Sequence, residues 1–110
     1  MSTIEILDEY GTSFEVEVES LDLTTQRFCI HEGYETPRSL SVVFDSNTKR
    51  ITIDIRIRSA IIILKAELND IDRIDINLAY TVDSRDLARA LTYLDDHHNT
   101  VLSVIKHVIR

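Results

Sequence analysis

Ile51, Ile53, Ile55 and Ile57 alternate with Thr52, Asp54 and Arg56, so an extended chain through this stretch carries four β-branched side chains on one side and a polar row on the other. A lone hairpin cannot shield such a row from water, so the chain must supply further strands beside it and an apolar cover above it. The apolar character continues through Ala60 into Ile61–Leu64 without polar alternation, which suits a strand covered on both sides or a buried continuation of the first. At 110 residues the chain has room for one hydrophobic core.

The flanking sequence offers those strands. Thr3–Leu7 and Phe14–Glu19 bracket turn chemistry around Gly11, and Arg27–His31 precedes a loop at Glu32–Arg38 that contains Gly33 and the only proline, Pro37. Ser39–Asp45 and Arg50–Arg58 flank the polar tetrapeptide Ser46–Lys49, a hairpin connection. Glu67–Asp72 reads as a turn, and Ile74, Ile76 and Leu78 form a last strand leading to Tyr80. From Asp83 the period becomes helical: Leu87, Leu91 and Leu94 follow a cap at Asp83 or Ser84. Asp95–His98 is expected to break that helix, with Asn99 capping a second one carrying Val101, Leu102, Ile105, Val108 and Ile109. The expected fold is α+β: an antiparallel β-sheet of about five to seven strands in residues 1–80, then a helical hairpin in residues 81–110, packed on the sheet or standing apart.

The formal charge of −7 is unevenly spread. Residues 1–35 hold nine acids against Arg27 alone, the middle of the chain is close to neutral, and the last 28 residues balance four acids with four bases. Glu15, Glu17 and Glu19 share one strand face. Cross-strand pairing with Arg50, Arg56 and Arg58 is the structural explanation for both rows; a dedicated stripe for a basic partner, with Asp22 added, is the functional one.

Motifs that carry chemistry are scarce. No nucleophile elbow or phosphate-cradling glycine loop occurs, and the chain has only two glycines. Asp70, Asp72 and Asp75 lack the loop glycine and distal glutamate of an EF-hand, and His97–His98 with Asp95, Asp96 and His107 lack zinc-ligand spacing. Cys29 between Phe28 and Ile30 reads as a small buried hydrophobe. The expectation is a protein that is not an enzyme and binds no cofactor or metal. The first residues have no basic n-region, and the longest apolar run falls far short of the roughly 20 residues that span a bilayer, so no membrane contact is expected.

Within Thr81–Arg110 stand Ser84, Arg85, Asp86, Leu87, Ala88, Leu91, His98, Asn99, Thr100, Val101, Leu102 and Ile105. This pattern resembles the opening of phage regulatory proteins of the Rha and antirepressor type, a winged-helix family. The resemblance implies a cytoplasmic regulator in a bacterial or phage-infected cell, with a DNA-binding helix-turn-helix. Its second helix would present Asn99, Thr100, Ser103, Lys106 and His107 to a major groove, while the β-rich part binds protein. Two other readings stand beside it. One is a small acidic inhibitor or adaptor that uses Glu15, Glu17, Glu19 and Asp22 on a basic groove, and the other is a homo-oligomeric structural protein joined through sheet edges.

Overall fold

The computed structural model describes residues 2–7, 10–32, 38–81 and 83–109, and leaves the side chains of His31 and Glu32 undescribed. Of the loop expected at Glu32–Arg38, residues 33–37 lie outside the described residues, and Glu32 and Arg38 belong to strands. Seven strands follow in chain order: β1 (Ser2–Leu7), β2 (Ser13–Ser20), β3 (Thr25–Glu32), β4 (Arg38–Asp45), β5 (Arg50–Ile57), β6 (Ala60–Leu68) and β7 (Ile74–Tyr80). They form one antiparallel sheet in which each strand pairs with its neighbours in sequence. One helix, α1 (Ser84–Val108), follows.

The turns are local solutions to chain reversal. Asp45 Oδ1 accepts from the Asn47 amide at 2.8 Å, and Lys49 takes a left-handed φ of 63° to return the chain into β5. Ile57 pairs with Ala60, so only Arg58 and Ser59 span β5 to β6, with Arg58 at φ 56°. In the β6–β7 turn Asn69 Oδ1 accepts from the amides of Ile71 and Arg73, and β6 runs on to Leu68, past the Glu67 where a turn is expected from sequence.

Period-two alternation gives the sheet two unlike faces. The inner face carries Val16, Val18, Phe28, Leu40, Val42, Phe44, Ile51, Ile53, Ile55, Ile62 and Leu64, all buried. Ile53 and Ile55 have no exposed surface, and each such side chain contributes about 1.5–3 kcal/mol over an exposed one. Their cover is α1, which buries Ala90, Tyr93, Leu94, Val101, Val104 and Ile105 in the same cluster. Asp83 caps it, its carboxylate accepting from the Arg85 amide at 2.7 Å, and at 25 residues the helix runs about 37 Å across the strands.

Three expectations are overturned. The helical hairpin is one continuous helix: Asp95–His98 is helical throughout, and His97 Nδ1 donates to the Tyr93 carbonyl at 2.9 Å. Leu87, Ala90, Leu94, His97, Val101, Val104 and Val108 recur at alternating steps of three and four, so the buried stripe passes through the polar tetrapeptide without losing phase. The row Glu15, Glu17 and Glu19 does not face the β5 arginines, because β3 and β4 lie between them and hold the rows about 14 Å apart. Cys29 is not in the core. Phe28 and Ile30 point inward, which turns Cys29 to the outer face, where it is partly exposed. Burial among its neighbours, then the Asp54 carboxylate, pushes its thiol above the ordinary value.

Candidate partner-binding face

The register across the ladders maps the outer face. One row runs Glu5–Glu15 on β1 and β2, then Ser39–Arg56–Ile61 on β4 to β6. The next contains Thr3–Glu17, then Ser41–Asp54–Ile63–Tyr80. A third runs Glu19–Arg27–Val43–Thr52–Lys65–Leu78. The face is therefore graded. Carboxylates crowd the β1–β2 flank, small and polar side chains fill the middle, and apolar and basic groups occupy β5–β7.

On the acidic flank Glu19 is satisfied by Arg27, whose Nη2 lies 2.5 Å from its carboxylate, both side chains being about half exposed. Glu5 accepts from the Ser13 hydroxyl. Glu5 stands directly opposite Glu15, a like-charge pair that costs a few tenths of a kcal/mol, and Glu17 is next on the same face. Among the described residues no base pairs with Glu5, Glu15 or Glu17.

The same flank is where the sheet is least closed. The ladder between β2 and β3 covers three residue pairs, Val18–Phe28 to Ser20–Gln26, whereas every other junction covers six to eight. Beyond Val18 the outer surface holds a hollow of about 500 Å³, lined by Thr3, Glu15, Glu17, Glu19, Arg27 and Cys29 among others. A hollow walled by carboxylates favours cationic groups.

The four acids read from sequence as partner-binding thus divide. Glu15, Glu17 and Glu19 line one hollow. Asp22 does not join them: its carboxylate accepts from the amides of Thr24 at 2.9 Å and Thr25 at 2.8 Å and shapes the β2–β3 turn. Those backbone bonds hold its pKa below the ordinary value of 3.8. Glu5 and Thr3 were missed because only the β1–β2 register brings them to the site.

The five residues read as DNA contacts all lie on α1. Asn99, Ser103, Lys106 and His107 are exposed and Thr100 is half-buried. Ser103 donates to the Asn99 carbonyl at 2.8 Å, and Lys106 Nζ lies 3.7 Å from Asp72. Asp95 and Asp96 are exposed about one turn before Asn99. Among the described residues no group of acids, histidines and cysteine is arranged to hold a metal, and no helix is long and apolar enough to cross a membrane.

The bulge in β7 adds a feature that alternation conceals. Lys65 pairs with Leu78 and Ala66 with Ile76, leaving Asn77 as an extra residue. Leu78 and Tyr80 consequently join Ile61 on the outer face, each about half exposed. Compared with known proteins, the chain matches no family model, no curated protein and no solved structure.

Proposed function

We propose that this chain is a non-enzymatic protein-binding module, an inhibitor or adaptor, which receives a basic segment of its partner on the β1–β2 flank of the outer face. The carrying observation is that Glu15 and Glu17 line the hollow with Glu5 directly opposite Glu15, while Arg27, the base that lines the same hollow, is paired with Glu19. The fold leaves this repulsion uncompensated, and a partner's lysines or arginines would relieve it. Packing of α1 over the isoleucine row supports the same reading, since the helix then closes the core.

A phage-type regulator acting on DNA is the competing reading. A helix-turn-helix needs two helices and a turn, and α1 runs without one. Its exposed stripe also mixes Asp95 and Asp96 with Asn99 and Lys106, which weakens attraction for phosphates.

The test is fluorescence anisotropy with a labelled arginine- and lysine-rich peptide and, separately, a labelled DNA duplex, at low and physiological salt. Saturable peptide binding that weakens with salt and disappears in the Glu5→Lys, Glu15→Lys, Glu17→Lys triple variant is expected, with no duplex binding. Duplex binding lost on Lys106→Glu, with the peptide unbound, would replace this proposal with the DNA reading.

A further inference from the structure

A second hollow, independent of the acidic flank, lies where α1 crosses the start of β4 and the end of β5. It has a volume of about 290 Å³ and is lined by Arg38, Ile57, Ala88, Arg89 and Thr92. Two guanidinium-bearing side chains thus reach one small space from different elements, Arg38 from the sheet and Arg89 from the helix. In a chain of net charge −7 this is a local reversal of sign.

Among the described residues Arg38 has no carboxylate partner, and Arg89 has one, Asp86. The contact of Arg89 with Asp86 is long, 3.8 Å, and Asp86 lines a different hollow with Ile61 and Tyr80. Arg38 also meets an aromatic ring. Its guanidinium carbon lies 5.9 Å from the ring centroid of Tyr93, a buried side chain that His97 flanks at 4.6 Å between centroids. Ile57, which pairs with Arg38 across β4 and β5, and Ala88 supply apolar lining.

We infer that this hollow binds a phosphoryl group, as free phosphate or as the monoester of a small organic molecule. A carboxylate offers two oxygens and fills one guanidinium fork. A phosphoryl dianion presents three oxygens in different directions, so it can accept from both guanidinium forks while the ester carbon rests on the apolar lining. The volume suits a small ligand rather than a dinucleotide.

The test is isothermal titration of the full chain with inorganic phosphate, phenyl phosphate and acetate at constant ionic strength set with sodium chloride. Saturable one-to-one phosphate binding is expected. Arg38→Gln and Arg89→Gln should each weaken it roughly tenfold or more, while Arg50→Gln, at the far end of β5, leaves it unchanged. Thermal melting confirms that the variants are folded. Tighter binding of phenyl phosphate identifies a monoester as the ligand, and equal binding identifies free phosphate. Absence of saturable phosphate binding, equal binding of acetate, or affinity unchanged in both arginine variants would overturn the inference.

Discussion

The inner and outer faces of the sheet are built from alternate residues of the same strands, yet they obey different rules. On the inner face Ile53, Ile55, Ile62 and Leu64 have no exposed surface, so any loss of volume leaves a gap that rigid neighbours cannot fill. On the outer face most side chains touch water, and register decides their energetics by determining which charge stands opposite which. Glu19 finds Arg27. Glu15, four residues earlier on the same strand, finds Glu5. Burial therefore fixes the architecture, while register decides which charges on the outer face are compensated and which are not.

The comparison breaks if core and face respond alike to mutation, and four measurements test this in descending order of effect. Ile53→Ala should cost about 2–5 kcal/mol in urea unfolding, because it opens a cavity beneath α1. Removing the helix cap is milder: Asp83→Ala should cost about 1 kcal/mol by exposing the amide that its carboxylate now satisfies. Substitution on the outer face should reverse the sign, with Glu15→Lys gaining a few tenths of a kcal/mol by replacing repulsion from Glu5 with attraction. Unchanged or lowered stability there would show that the acidic pair is already compensated.

The smallest effect concerns Asp22, which is fully exposed. Its folded pKa lies below the ordinary 3.8, so its ionised form contributes stability at neutral pH that is lost as pH falls below that value towards the depressed folded pKa. Asp22→Asn should flatten the acid limb of a stability profile, leaving stability above pH 5 nearly independent of pH. An acid limb identical to that of the parent would remove the turn role assigned to this carboxylate.

Much of the strand pattern was legible because alternation is a strong signal wherever one face is buried. Phe14, Val16 and Val18, and Ile51 to Ile57, announce their strands without a structure. What local pattern cannot express is neighbourhood. Nothing in Glu15–Glu19 says that β1 and β3, rather than β5, lie beside it, so the compensating arginines were assigned to the wrong row and Glu5 was overlooked. The apparent helix break had a readable counter-signal. Asp95–His98 contains no glycine or proline, and the heptad phase from Leu87 to Val108 continues across it, with His97 occupying a core-facing step. Leu78 and Tyr80 were illegible for a different reason: a bulge inverts parity, and only pairing reveals a bulge.

The three-rung junction between β2 and β3 also bears on motion. A hairpin joined to the rest of a sheet by so few backbone bonds forms its own unit of local opening, with a lower free energy of release than the long ladders from β3 to β6. Amide exchange in β1 and β2 should therefore outpace exchange in β4 and β5. A bound basic segment would slow it by bridging the acidic hairpin to β3, so the partner would act as a latch on the loosest part of the molecule.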